Sequence, residues 1–260
     1  MALRKKRDAA FRGEDKPLDL KWVKLAFSDP FVYLASLAFF ASSVAIFGFG
    51  LFLPTIIRGL GFAKLKVNYM TIPVYVVGAT ALLLQTWLSD KMQKRALFLV
   101  TAAIPVIAGY VICVGTASHG GGYAAMFILA GGKSRSCYPS CSSIPLTFRA
   151  GVYAFSALCV TWVATNLVPD HKRSVGLPFF YSIGNLSGLV SSQLYPATEG
   201  PRYIKGNAIS AGLEVVAVVF VIAAWFILRR RTQKKTKMIE EGATTNGKVG
   251  DEALDFKYTL

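Results

Sequence analysis

The sequence predicts an all-α integral membrane protein with six transmembrane helices, and three observations lead to this fold class. The 260 residues are 53% hydrophobic and 17% charged, which is too apolar for an ordinary soluble domain. Six apolar stretches reach the roughly 20 residues that a helix needs to cross a bilayer. The charged residues lie at the ends of these stretches, so the net charge of +15 does not indicate nucleic-acid binding.

Each element follows from the positions of the charges along the chain. Residues 1–30 form a basic segment that is too charged for a signal peptide, and 229–260 form a basic tail. Cytosolic loops beside spans accumulate Lys and Arg. With the amino terminus inside, 21 of the 29 basic residues fall on the cytosolic side, so both termini are expected there. The expected spans are residues 31–57, 70–89, 96–118, 123–131 joined to 151–168, 174–195 and 207–228.

The fourth span is interrupted in the sequence. The apolar stretch 120–132 would make a helix of about 20 Å, which is short of a full crossing. Removing residues 132–150 would join 123–131 to 151–168 as one apolar helix. Two explanations of this insert stay open. It is either translated intron, because GKS at its start matches a reading frame through a common splice donor, or a genuine extracellular loop after a short re-entrant helix.

The sequence gives no sign of a metal site, a cofactor or an enzyme active site. The four cysteines are scattered, and no histidines stand at zinc-site spacing from them. His119 and His171 lie in loops, and no cluster of His, Asp and Glu has acid-base spacing. We therefore expect no metal and no cofactor, and an integral-membrane enzyme is the weakest functional class.

The loop after the second expected span carries an acid followed by basic residues. Such a loop can latch one conformation, because its carboxylate faces a helix amino end while its cations pair with acids or lipid phosphates. An ordinary positive-inside loop explains it as well. The loop resembles the cytoplasmic signature of the major facilitator superfamily, although Thr86 and Gln93 replace its two glycines. Its charged members are Asp90, Lys91, Lys94 and Arg95.

Residues 49–62 (FGLFLPTIIRGLGF) closely resemble a helix end of one branch of that superfamily, the anion:cation symporters of allantoate and nicotinate permease type. The agreement covers nearly the whole chain apart from the insert, but only the carboxyl-terminal half of a twelve-helix transporter. It implies the C-terminal half of a major facilitator fold that carries a small organic anion, such as a vitamin, ureide or other carboxylate nutrient, with protons across the plasma membrane. Further agreeing stretches are TWVATN (161–166), HKRS (171–174), SIGNLSG (182–188), PRYI (201–204) and DFKYTL (255–260).

Polar groups within the spans are candidates for the solute pathway, because such groups need partners or water. Trp162 and Asn166 on the fourth span, and Tyr181 and Asn185 on the fifth, each recur at helical spacing. Close helix packing explains Asn185 equally well, because it lies between small residues. Packing is also the commoner role of a tryptophan such as Trp162.

Glu214 is the only acid within a span. A buried carboxyl group there is a candidate for proton coupling, but we favour a lipid-facing side chain that reaches the outer interface, which leaves proton coupling to the amino-terminal half. On the outer side, five basic residues outnumber the acids and predict a positive vestibule that attracts organic anions. These residues are Arg58, Lys64, Lys66, Arg202 and Lys205.

One six-helix half supplies one wall of a site between two halves. The expected partners are therefore a small organic anion, protons, the lipid bilayer and an N-terminal six-helix half, and no nucleic acid. The alternative is a non-transporting protein, either an orphan fragment, as a truncated gene model would give, or a membrane interaction partner.

Overall fold

A computed structural model describes residues 20–59, 64–115, 128–129, 152–195, 203–241, 250–254, 256 and 258–259. Throughout this part of the chain the regular structure is helical. The insert at 132–150 and most of 123–131 lie outside it. The helices are α1 Leu20–Phe27, α2 Pro30–Gly59, α3 Lys64–Met92, α4 Arg95–Gly115, α5 Val152–Asn166, α6 Asp170–Asn185, α7 Ser187–Leu194 and α8 Ile204–Glu240, with a 3₁₀ turn at Gly250–Glu252.

The start of α2 shows how the sequence sets a helix boundary. Pro30 occupies the first helical position, where its missing N–H costs no hydrogen bond. Asp29 caps the helix, because its Oδ1 accepts a hydrogen bond from the Phe31 N–H at 3.1 Å. The apolar stretch that follows then continues as a single helix of 30 residues.

Within the described residues, four helices are long and apolar enough to cross a membrane: α2, α3, α4 and α8. They correspond to the first, second, third and sixth expected spans. Of the fourth expected span, the structure describes residues 128–129 and α5, whose 15 residues measure about 22 Å. The region of the fifth expected span is helical from Asp170, four residues earlier than expected, and Leu186 divides it into α6 and α7.

The helices pack around α2, which lies at the centre of the bundle. Helix α8 packs along α2 and α4, while α5, α6 and α7 cover other sides of α2. The main core joins Phe31, Leu99, Trp162 and Phe180 from four different helices. Helix α3 is peripheral, since 22% of its span is buried against 67% for α2.

Candidate functional site

The charged loop between α3 and α4 forms a compact network. Arg95 donates a hydrogen bond to Asp90 Oδ1 at 3.0 Å and forms an ion pair with it. The other guanidinium nitrogen donates to the Thr161 carbonyl at 2.7 Å and to Thr165 Oγ1 at 3.0 Å. Arg95 thus ties this loop to α5. Lys91 instead lies over the Trp87 ring, and Lys94 is exposed.

The backbone of this loop explains why the superfamily signature has glycine at the position of Gln93. Gln93 has a φ of 55°, in the left-handed region that glycine occupies without steric cost. Its N–H donates to the Ser89 carbonyl at 2.9 Å and so ends α3. Its side-chain amide donates to the Asp90 carbonyl at 2.6 Å, which partly offsets the strain. The turn is therefore kept although the glycine is lost.

Trp162 and Asn166 are buried at one end of α5, where the carboxyl-terminal segment covers them. The indole Nε1 donates to the Thr259 carbonyl at 2.9 Å, and Asn166 Nδ2 donates to the same oxygen at 3.1 Å. Asn166 Oδ1 accepts a hydrogen bond from the Thr259 N–H at 2.9 Å. The Trp162 ring also packs edge-on against Phe31. In this arrangement both polar groups contact the chain's own backbone.

Tyr181 and Asn185 lie on an exposed surface of the bundle, in contrast to the buried Trp162 and Asn166. Both are exposed on α6, with Tyr181 41% exposed, and Ser182 beside them is exposed as well. The Tyr181 ring packs edge-on against Phe39 of α2 at 5.9 Å. The structure therefore brings Tyr181 and Asn185 together, one helical turn apart, and separates them from the buried Trp162 and Asn166.

Glu214 points into the bundle, so the expected lipid-facing placement is wrong. Glu214 is fully buried, and its Oε1 accepts a hydrogen bond from Ser42 Oγ at 3.3 Å. Oε2 has no hydrogen-bond partner within the described part of the chain. The reason is packing, since α8 turns this face toward α2 and α4.

A buried ionic cluster at the end of the bundle was missed by the sequence analysis, and we name it the Lys172 cluster. Lys172, only 2% exposed, donates to Asp29 Oδ2 at 2.7 Å and to Asp251 Oδ2 at 2.9 Å. Arg231 on α8 donates to Asp29 Oδ1 at 2.9 Å. In the sequence, these basic residues indicate only the orientation of the chain in the membrane. The available signal was an acid directly before Pro30, which is typical of a helix cap.

The two carboxylates of the Lys172 cluster differ in their electrostatics. Burial raises the pKa of Asp29, but the nearby Lys172 and Arg231 outweigh it and hold the pKa below its ordinary value of 3.8. For Asp251 burial is the larger effect, and its pKa lies above 3.8 even though Lys172 opposes the shift. Asp29 is therefore the carboxylate whose charged form the cluster stabilises, through Lys172 and Arg231 together.

Comparison with known proteins gives the molecule its family. A family model described as "Sugar (and other) transporter" matches residues 3–241. The chain belongs to this transporter family. Membership, together with the apolar helices, indicates an integral membrane protein of the major facilitator type and not an enzyme.

Individual members of the transporter family support this assignment. The chain is 33% identical to an uncharacterized transporter of Schizosaccharomyces pombe, over 99% of this chain and 48% of that protein. It is 28% identical to the high-affinity nicotinic acid transporter of Saccharomyces cerevisiae, over 90% of this chain and 41% of that protein. A major facilitator-type transporter of Emericella nidulans is 25% identical over 92% and 44%. The chain thus spans about half the length of the curated relatives it matches.

Proposed function

We propose that this chain acts in the transport of a small organic anion, such as a vitamin, ureide or other carboxylate nutrient, as the carboxyl-terminal half of an anion:cation symporter. The observation that carries the proposal is the exposed pair Tyr181 and Asn185, which presents hydroxyl and amide groups on α6 within an expected span. Polar groups at that depth need water, a solute or a partner helix. A solute path between two halves supplies the first two.

The choice of an organic anion has two supports. One relative is named as a nicotinic acid transporter, and its similarity extends over 90% of this chain. At the opposite end of α2 from Asp29, Arg58 is exposed, as a positive vestibule requires. Together these favour a carboxylate solute that approaches from the Arg58 side.

Proton coupling is proposed to involve Glu214. A carboxyl group inside a bundle can carry a proton when no cation neutralises it. Glu214 meets this condition, because within the described residues its contact is the Ser42 hydroxyl and no basic group pairs with it. Three other titratable groups lie on the surrounding elements. Tyr110 of α4 and Cys159 of α5 are buried, and Tyr195, which follows α7, is half-buried.

The orientation that we propose has six spans with both termini in the cytosol. Asp29 and Asp251 contact the same lysine, so the two ends of the described chain lie at one end of the bundle. An even number of crossings requires this arrangement. The basic residues near that end favour the cytosolic side of a plasma membrane.

Uptake of labelled nicotinate by cells that express the chain tests the proposal, alone and together with the amino-terminal half of a related transporter. We expect uptake only with both halves, and Asn185→Ala should lower it at least about tenfold if it loses a bond to bound solute. Ser174→Ala, which alters an exposed hydroxyl bonded to its own helix, is the matched control. Unchanged uptake kinetics in both Asn185→Ala and Tyr181→Phe would remove this face from the pathway.

A non-transporting membrane interaction partner is the second candidate function. The weak burial of α3 favours it, because a peripheral helix offers a broad surface to another protein. Saturating uptake with both halves present argues against this alternative. Co-purification with a membrane protein, without uptake of any organic anion, would favour it.

A further inference from the structure

The carboxyl-terminal segment lies against the bundle although it has almost no regular structure. We name its described residues, 250–254, 256 and 258–259, the strap. Leu254, Phe256 and Tyr258 are buried, and Phe256 and Tyr258 belong to the main core, which α2, α5 and α8 also line. A segment whose regular structure is a single 3₁₀ turn within its described residues needs specific anchors to stay there.

The first anchor is the backbone of Thr259. Its carbonyl accepts hydrogen bonds from Trp162 and Asn166, and its N–H donates to Asn166. The Asn166 amide therefore bonds both backbone groups of Thr259, as the backbone of a neighbouring strand would. The side chain of Thr259 takes no part in these bonds.

The second anchor consists of lysines. Lys172 binds the Asp251 carboxylate, while Lys235 of α8 donates to the carbonyls of Asp251 and Phe256. Lys235 also lies over the rings of Phe256 and Tyr258, at 5.4 and 4.3 Å from their centroids. Two basic side chains thus hold the strap along its length.

The third anchor is the turn at Gly250, which brings the strap into place. Gly250 has a φ of +80°, and a Cβ there would lie 2.6 Å from the Val168 carbonyl oxygen. The next residue, Asp251, donates its N–H to that same oxygen at 2.9 Å. Only glycine fits this combination of close approach and left-handed backbone.

We propose that the strap is a releasable cover over Trp162 and Asn166. All of its anchors are non-covalent, and releasing it would free the indole N–H and the Asn166 amide at one end of α5. The strap's release then controls whether water or a solute reaches these groups from that end. Its effect on uptake rests on the proposed function, whereas its docking does not.

Thr259→Pro and Thr259→Ala are the matched pair that tests this proposal in the purified full chain. Proline removes the N–H that bonds Asn166, whereas alanine keeps both backbone groups. We expect added protease to cut the strap about tenfold faster in Thr259→Pro than in wild type, and Thr259→Ala to match wild type. Gly250→Ala should also increase the cleavage rate, because it disturbs another of the anchors that hold the same strap.

Fluorescence of Trp162 measures the cover directly once Trp22, Trp87 and Trp225 are replaced by Phe. Acrylamide should quench Trp162 severalfold more in Thr259→Pro than in Thr259→Ala. Equal cleavage and equal quenching in the two variants would overturn the proposal. In cells that also express the amino-terminal half, absence of uptake with the wild-type chain would contradict the proposed function alone. Equal uptake by the two variants, where wild type transports, would contradict control of the pathway by the strap.

Discussion

Lys172 illustrates how a single residue can join distant parts of the chain. It pairs with two carboxylates that lie 143 and 79 residues away, and one of them also caps a helix. Removing one partner of a buried ion pair leaves an uncompensated charge, which costs more than the pair itself contributes. The two carboxylates therefore give different predictions.

Asp29→Asn is predicted to destabilise the protein by about 3 kcal/mol, because Lys172 and Arg231 both lose their shared anion. Asp251→Asn should cost less, because Lys172 keeps its ion pair with Asp29 and the pKa of Asp251 lies above its ordinary value despite that lysine. Thermal unfolding in detergent micelles compares the two. A larger loss for Asp251→Asn would contradict this account of the Lys172 cluster.

The strap should also respond to pH through Asp251. A group whose folded pKa is raised favours the folded form as pH falls through that pKa, so protection of the strap should increase on mild acidification. Asp29 has a lowered pKa, so its contribution is present above pH 3.8 and is lost only below it. Protease cleavage of the strap measured against pH, in wild type and Asp251→Asn, checks this. A pH dependence that persists in Asp251→Asn would assign it to another group.

At the residue scale, the sequence indicates which side chains carry polar or charged groups more reliably than it indicates the partners that these groups contact. The charged loop predicts that its cations pair with acids or lipid phosphates, and Arg95 does pair with Asp90, but the bonds of Arg95 to α5 are not predicted. Trp162 and Asn166 are correctly seen as one face of a helix. Their partner is the backbone of residue 259, and backbone groups leave no mark in a sequence.

At the scale of the elements, Gly184 sets the closest approach of α6 to α2. A Cβ there would lie 2.2 Å from Cδ1 of Phe39, whose ring is stacked on Phe180. We predict that Gly184→Ala destabilises the protein by about 2 kcal/mol through overpacking. Gly212→Ala on α8 is the control, since nothing lies within 4 Å of its Cβ.

Thermal unfolding in micelles should therefore separate these two alanine variants by several degrees. Equal midpoints would show that Phe39 moves aside without cost. The helices themselves follow from apolar length, which is why four spans match the expected ones. The division at Leu186 and the position of Glu214 depend on neighbouring helices, so residue composition alone does not reveal them.

For the whole molecule, we predict that tags at the two ends of the chain, with the carboxyl-terminal tag joined through a long flexible spacer, are accessible from the same side of a membrane. The geometric reason is that Asp29 and Asp251 share Lys172. Protease digestion of sealed and opened vesicles distinguishes the sides. Protection of one tag and cleavage of the other would contradict both the six-span topology and the transport proposal.

The insert at 132–150 gives a second prediction at this scale. Helix α5 is about 22 Å long, so it needs residues before the insert to complete a crossing. Leu129 is fully buried and packs at Gly109 of α4, as a continuation of that span would. Deleting 132–150 should therefore leave expression and thermal stability unchanged. Sequencing the mature transcript then separates an intron from a genuine loop, and a loss of folded protein on deletion would favour the loop.

Helix α8 has 37 residues and is about 55 Å long, so it extends well past a bilayer before the chain turns back toward the bundle. A reporter protein fused after Leu260 would be attached one residue beyond Thr259, whose backbone groups bond Asn166. Such a fusion is expected to weaken the bonds between Thr259 and Asn166, and so to change the docking of the strap that the reporter is meant to follow. Labels for localisation or purification therefore belong at the amino terminus, or after a long flexible spacer.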